Sequence, residues 1–199
     1  MRRLIVTIWC ILCSTLLYGQ EVTKQTFHYA THHGQELYLD RYEVVEQNAE
    51  ARPCMIFAFG GGFVQGSRDV DYYHIYFEHL AREGIVVVSI DYRLGLKNLP
   101  KIDGARAMID VFDNAVTIAV QDMYCATNFV YANAEAWGVD PEKIMISGSS
   151  AGAITALQAE WLRANGDSLA EVLPEGFHYA GVVSCAGAIF SRKGKPKFD

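Results

Sequence analysis

The feature that most constrains the fold is a series of short runs of consecutive apolar residues. The runs occupy residues 54–59, 85–90, 143–146 and 179–185. Successive side chains of a strand point to opposite faces of a sheet, so a strand that is apolar throughout is covered on both faces. Sheets of this kind are parallel and carry helices on both sides. The sequence therefore predicts a parallel sheet between two layers of helices.

The segments between these runs have the spacing of amphipathic helices. Helices are predicted over residues 69–82, 109–137 and 150–164. Gly84 follows the first of them as a C-terminal cap. Before the first apolar run, rough alternation over residues 26–46, broken by a turn at His33 and Gly34, predicts an antiparallel hairpin. The predicted fold class is therefore α/β, with a mostly parallel, doubly wound sheet preceded by a hairpin.

The first residues have the pattern of a secretory signal peptide. Two arginines precede an apolar run over residues 4–17, and the small residue Gly19 follows it at a suitable cleavage position. The run is shorter than the roughly 20 residues with which a helix spans a bilayer. We assign residues 1–19 to a signal peptide and residues 20–199 to one domain. We therefore expect an exported protein, periplasmic or secreted, without a stable membrane anchor.

Two alternatives are left open for this segment. The first is a retained membrane anchor. The second is lipid attachment at Cys10 or Cys13, which is disfavoured because Trp9 and Leu12 place a bulky side chain where a lipoprotein signal requires a small one.

Composition limits the partners of the chain. With 51% hydrophobic and 20% charged residues, the chain is not a disordered tail. The net charge is −6, and the basic residues cluster only in the tail after Ser191. Because phosphate binding needs a concentrated positive surface, no nucleic-acid partner is expected. The oligomeric state cannot be predicted from these features.

Neither a cofactor nor a metal is expected from the sequence. Three cysteines lie beyond the signal peptide, Cys54, Cys125 and Cys185, and each stands in an apolar stretch, where burial is expected. Their odd number and the absence of Cys-x-x-Cys argue against a disulfide framework and a structural metal site. The glycine patterns of dinucleotide-binding and phosphate-binding loops are also absent.

Two glycine-rich loops follow apolar runs, at the edge where ligands of parallel sheets bind. They are Phe-Gly-Gly-Gly-Phe at residues 59–63 and Gly-Ser-Ser-Ala-Gly at residues 148–152. The second matches G-x-S-x-G, which places a serine on a sharp turn between a strand and a helix. Glycines two residues away on either side prevent a collision there. A flexible Gly/Ser turn is the alternative interpretation.

The first loop contains three consecutive glycines, Gly60, Gly61 and Gly62. Without side chains, their backbone N–H groups can approach a bound oxygen closely. Such donors stabilise an oxygen on which negative charge develops during acyl transfer. A tight turn with no chemical role is the alternative.

Three segments, in this order, resemble the α/β-hydrolase fold carboxylesterases, in particular the hormone-sensitive-lipase-like and related bacterial esterases. They are Phe59-Gly60-Gly61-Gly62-Phe63, then Asp91-Tyr92-Arg93-Leu94, then Trp137-Gly138-Val139-Asp140-Pro141 leading into Gly148-Ser149-Ser150-Ala151-Gly152. The resemblance covers about residues 50–190. Together the segments are far more specific than any one of them alone.

The resemblance implies a serine hydrolase that acts on a small-molecule carboxylic ester with a short acyl or acetyl group. Ser150 is the implied nucleophile. The implied oxyanion hole consists of the backbone N–H groups of Gly61, Gly62 and Ala151, and the supporting motif residues are Gly60, Gly148 and Gly152.

Two positions depart from the pattern of the family. Phe59 stands where such esterases usually carry His, so a contact that braces the loop is lost or replaced. Ser149 stands where many relatives carry Asp or Glu. Asp91 and Arg93 resemble a family element that we interpret as bracing a loop through an ion pair.

The general base of the expected reaction is missing from the pattern. In this fold the acid and the histidine of the triad follow the serine, and only His178 does so. It precedes an apolar run, which places it at the edge of the sheet opposite to the site. The earlier histidines are expected to be surface or packing residues: His28, His32, His33, His74 and His79.

We therefore expect an incomplete, truncated hydrolase that lacks the C-terminal strands carrying the acid and the base. Two alternatives stay open. One is a non-catalytic α/β-hydrolase-like domain with a binding or scaffold role. The other is a serine peptidase, which would share the same machinery but differ in its substrate pocket.

Overall fold

The apolar runs form the middle of one continuous sheet. The computed structural model describes residues 21–44, 50–99 and 103–190, so the predicted signal peptide lies outside the described residues. The strands are β1 (Val22–His32), β2 (Gln35–Val44), β3 (Arg52–Ala58), β4 (Val86–Ile90), β5 (Val139–Ser149) and β6 (Gly181–Cys185). The helices are α1 (Asp71–Arg82), α2 (Ala105–Ala132) and α3 (Ala151–Ala164), and a 3-10 turn spans Ser168–Val172.

In the described part of the chain, the six strands are ordered β1-β2-β4-β3-β5-β6. β3 pairs in parallel with both β4 and β5, and β5 pairs in parallel with β6. The hairpin of β1 and β2 joins this sheet through an antiparallel pairing of β2 with β4. The predicted fold class, a mostly parallel α/β sheet with an N-terminal hairpin, is confirmed.

The helices cover the two faces of the sheet because the two crossovers that start at β3 and β4 run across the sheet in opposite directions. The first crossover, through α1, leads from β3 to its neighbour β4, and the second, through α2, leads back past β3 to β5. Right-handed crossovers that run in opposite directions place their helices on opposite faces. Accordingly, α1 packs against β2 and β4, whereas α2 and α3 contact each other on the other face. The carboxyl ends of β3 and β5 meet at this point of reversal, where α/β proteins bind ligands.

The turns predicted in the first half of the chain are confirmed. His33 and Gly34 both have positive φ angles, 51° and 81°, as a two-residue hairpin turn requires. Gly84 adopts φ 84° directly after α1, and its N–H donates to the carbonyl of Ala81. Both positions thus carry the residue types that left-handed backbone favours.

The predicted bounds of the second helix, 109–137, were wrong at both ends. α2 begins at Ala105, after Gly104 with φ 97°, and its first turns are exposed, so they show no apolar periodicity. It ends before Asn133, whose side-chain amide donates to the carbonyl of Phe129. Two apolar residues beyond that point, Ala134 and Trp137, are buried in the following turn and imitate the helical spacing.

The last predicted strand is correct in position but not in burial. β6 lies at the outer edge of the described sheet, and Val183 is 43% exposed. Cys185 at its end is exposed as well, so the expectation that all three cysteines are buried was wrong for this residue. An apolar run indicates a strand, but burial depends on what covers that strand. The run at residues 143–146 is part of the longer β5, in which Pro141, Glu142 and Lys143 are exposed.

The core lies between the sheet and its two helix layers. Residues 54–58 of β3 and all residues of β4 are buried, as are sheet-facing residues of α2 such as Ala119, Val120 and Met123. Over the residues that the structure describes, no helix combines the length and apolar character needed to cross a bilayer.

The three cysteines should differ in their reactivity towards iodoacetamide in the native protein. Burial raises the pKa of the Cys54 thiol to about 12, and burial also raises the pKa of Cys125. The thiolate is the reactive form, so we expect Cys185 to be alkylated first, Cys125 more slowly, and Cys54 only after unfolding. Peptide mass spectrometry after timed alkylation measures this order. Alkylation of Cys54 at the rate of Cys185 would contradict the placement of β3 and β6.

Candidate active site

Ser150 occupies a strained turn between β5 and α3. Its backbone angles are φ 50° and ψ −114°, and its side chain is exposed. The Ser150 N–H donates to the carbonyl of Cys185 at 2.8 Å, so the end of β6 holds the turn from one side. Positive φ at a residue with a side chain is uncommon and persists only where the surroundings enforce it. The sequence-predicted turn is therefore present, and it presents the serine at the carboxyl edge of the sheet.

The glycines on either side of Ser150 are required by close approach of the backbone. A Cβ atom on Gly148 would lie 2.3 Å from the carbonyl carbon of Gly152. A Cβ atom on Gly152 would lie 2.0 Å from the carbonyl oxygen of Ala58 at the end of β3. The first turn of α3 thus rests directly on β3, which only glycine permits.

The three glycines after β3 form a bend, which we call the glycine bend (residues 60–62). Gly61 and Gly62 have φ angles of 137° and 64°, and Phe63 continues with 61°. The carbonyl of Gly61 accepts the N–H groups of Val64 and Gln65, at 3.1 and 3.2 Å. These contacts turn the chain back on itself directly after the bend.

The glycine bend and Ser150 lie side by side because β3 and β5 are paired, with Ala58 opposite Gly148. A Cβ atom on Gly60 would lie 3.4 Å from the Cβ atom of Ser150. Within the described part of the chain, the N–H groups of Gly61, Gly62 and Ala151 donate to no protein group.

The structure thus brings together an exposed hydroxyl and unpaired backbone donors, an arrangement suited to acyl transfer. The roles of Ser150 as nucleophile and of the three N–H groups as an oxyanion hole stay predictions.

Phe59, which replaces the usual histidine, is held by a tyrosine. Its ring stacks on Tyr92 with centroids 4.4 Å apart, and the Tyr92 hydroxyl donates to the Phe59 carbonyl at 2.8 Å. A second tyrosine, Tyr73 of α1, accepts the N–H of Gly60 at 3.3 Å. Sequence reasoning missed both contacts. Tyr92 stands inside a recognised motif, but nothing in the sequence distinguishes Tyr73 from its neighbours in α1.

Asp91 and Arg93 both form ion pairs that brace the loop after β4, and each residue pairs with a different element. Asp91 accepts from Arg68 at 2.6 Å, in the segment that follows the glycine bend. Arg93 pairs with Asp122 of α2 through its side chain at 2.8 Å and through its N–H at 2.7 Å. Burial raises the pKa of Asp122, and Arg93 opposes that shift. The motif therefore ties the loop after β4 both to the site loop and to α2.

None of the described histidines bonds to Ser150, whose hydroxyl has no partner in the described ranges. His178 is exposed and lies just before β6, where the N–H of Ala180 donates to the carbonyl of Ile144. Six residues of β5 separate that level from Ser150, which is about 20 Å. The other histidines lie on the hairpin (His28, His32 and His33) or on α1 (His74 and His79). His74 pairs with Asp69. Among the described residues, no group of three His, Cys, Asp or Glu side chains could hold a metal ion.

The chain has relatives of known family and structure. The model of the BD-FAE family matches residues 39–187. The chain belongs to the BD-FAE family. A curated relative, the fumonisin B1 esterase of Sphingopyxis macrogoltabida, is 34% identical over 119 residues, which are 59% of this chain and 21% of that protein.

Solved structures agree with the fold. Thermogutta terrifontis esterase 2 phosphorylated by paraoxon is 29% identical, with a TM-score of 0.53 over 67% of this chain and 45% of that one. A bacterial heroin esterase aligns with a TM-score of 0.55 over 80% of this chain and 46% of that one, but at 22% identity it supports the fold alone. The chain spans less than half the length of these proteins and about a fifth of the curated relative.

Adding one methyl group at Gly152 should destabilise the protein. The new Cβ atom would collide with the carbonyl of Ala58, so we expect Gly152→Ala to lower the free energy of unfolding by about 1–3 kcal/mol or more. The control is Gly181→Ala, because no atom lies within 4 Å of a Cβ there and its φ is not in the left-handed region. Thermal unfolding compares the two variants. Equal melting temperatures would contradict the close approach of α3 to β3.

Proposed function

We propose that the protein is a serine hydrolase that cleaves carboxylic esters through an acyl-enzyme on Ser150. The observation that carries the proposal is the exposed, strained Ser150 beside the glycine bend, with unpaired N–H groups on both. Membership of the BD-FAE family and the esterases among its relatives support the same reaction. A short acyl or acetyl ester, as in hormone-sensitive-lipase-like enzymes, is the proposed substrate.

The proposed mechanism uses the Ser150 hydroxyl, the backbone N–H groups beside it, and a base that the described residues do not provide. The Ser150 oxygen attacks the ester carbonyl while a base takes its proton. The carbonyl oxygen becomes an oxyanion and accepts the N–H groups of Gly61, Gly62 and Ala151. Collapse of this intermediate expels the alcohol, which receives the proton, and leaves the acyl group on Ser150. Water then attacks the acyl-enzyme in the same way and releases the acid.

We infer that the base and its carboxylate come from polypeptide outside this sequence. All six histidines lie in described residues, and none of them bonds to Ser150. The longer length of the solved esterases is consistent with a truncated hydrolase. We further propose export of the protein, based on the two arginines and the apolar run at its start.

The absence of a base among the described residues also favours a second candidate, a non-catalytic binding domain. The two candidates differ in the reactivity of Ser150. In the first, the serine still faces an oxyanion hole, and that hole alone retains measurable acceleration when triad members are missing. In the second, Ser150 reacts no faster than other exposed serines.

A fluorophosphonate probe should therefore label Ser150, slowly without added base and faster with imidazole as an external base. Ser150→Ala should abolish the labelling, whereas the control Ser149→Ala should retain it, because that neighbouring hydroxyl lies on β5 before the turn. Intact-mass and peptide mass spectrometry measure the rate and the position. Absence of labelling with imidazole present would favour the non-catalytic domain.

His178 should be dispensable for this reaction. Because it lies at the opposite edge of the sheet, we expect His178→Ala to leave the labelling rate unchanged, within about twofold. The same kinetic assay without imidazole measures this. A large loss of rate would identify His178 as the base and would refute the inference that the base comes from elsewhere.

A further inference from the structure

The glycine bend must keep two N–H groups unpaired while its own conformation stays fixed. Glycine has more freedom than any other residue, so three of them in succession do not hold a shape by themselves. An oxyanion hole works only when its donors are oriented before the charge develops. The groups that fix the bend are therefore part of any catalysis at Ser150.

The contacts around the bend fix two of its peptide groups directly. The peptide group between Phe59 and Gly60 is planar, and its carbonyl and N–H point in opposite directions. Tyr92 donates to its carbonyl at 2.8 Å, and Tyr73 accepts its N–H at 3.3 Å. The peptide group between Gly61 and Gly62 is held through its carbonyl, which accepts two N–H groups of the following turn. The N–H of Gly61 lies on the one peptide group between these two fixed groups.

We propose that Tyr73 is a positioning residue, whose hydroxyl oxygen orients the glycine bend for the oxyanion by accepting the Gly60 N–H. The inference rests on the proposed function of Ser150. Tyr73 and Tyr92 reach the same peptide group from two elements, α1 and the segment after β4, and so prevent its rotation.

Tyr73 is itself well anchored. Its ring packs edge-on against Phe57 at 4.8 Å and stacks on Phe77 at 5.7 Å. The hydroxyl can therefore be removed while the ring contacts remain. Tyr92 is a less suitable probe, because it is 2% exposed and belongs to the core.

The experiment compares Tyr73→Phe with Tyr76→Phe in the full chain. Tyr76 is the matched control, because it lies on the same helix and loses the same hydroxyl, which donates to the Met55 sulfur at 3.9 Å and not to the glycine bend. The first measurement is amide hydrogen exchange over residues 59–66 by mass spectrometry. We expect Tyr73→Phe to accelerate exchange there by about tenfold, with β5 and α3 unchanged.

The second measurement is saturation kinetics of the fluorophosphonate reaction at Ser150 with imidazole present. Because the substitution loosens oxyanion donors without removing them, we expect the maximal rate of modification to fall by about tenfold and the half-saturating probe concentration to change by less than about twofold. Tyr76→Phe should match the wild type in both measurements.

Any one of several results would overturn the proposal. They are unchanged exchange over residues 59–66, an equal change in both variants, and a maximal rate for Tyr73→Phe equal to that of the wild type. Accelerated exchange throughout the chain would also overturn it, because it would indicate general destabilisation. If the wild type is not labelled at all, the proposed function fails, and hydrogen exchange still decides whether Tyr73 fixes the bend.

Discussion

The parallel pairing of β3 with β5 is the constraint on which the site depends. It sets Ala58 opposite Gly148, so the loops that leave the two strands start side by side. One loop turns through three glycines, and the other turns through Ser150 into α3. Because the Gly152 backbone rests on Ala58, α3 cannot move along the sheet without losing this contact. The distance between the hydroxyl and the backbone donors thus follows from strand pairing rather than from flexible side chains.

Backbone strain is concentrated at this edge of the sheet. Of the described residues with a side chain and positive φ, three lie at or beside the site: Phe63, Ser150 and Ala186. Each such residue costs on the order of 1–3 kcal/mol. Burial of the Phe63 side chain offsets about 2 kcal/mol, and the hydrogen bond from Ser150 to Cys185 contributes about 1 kcal/mol. Groups on β6 and in the loop after the glycine bend therefore offset part of the strain at the site.

Much of this arrangement could be predicted from the sequence, for identifiable reasons. Runs of consecutive apolar residues predict strands of a parallel sheet that is covered on both faces. Gly148 and Gly152 predict a close approach of backbone segments, because a side chain at either position would collide there. The bounds of α2 were harder to predict, since Trp137 is buried in a turn and imitates helical spacing. The partners of Asp91, Arg93 and Gly60 could not be predicted. They depend on contacts between segments 13–29 residues apart, which no local pattern records.

The hydrogen bond between the Ser150 N–H and the Cys185 carbonyl couples the serine to a strand at the rim of the described sheet. Rim strands open more readily than central ones, because fewer neighbours must separate. Each such opening would free the serine turn to relax towards ordinary backbone angles while β3, β4 and α2 stay folded. On gradual heating of the described part of the chain, Ser150 would then lose its strained backbone conformation at temperatures where the central strands are still folded.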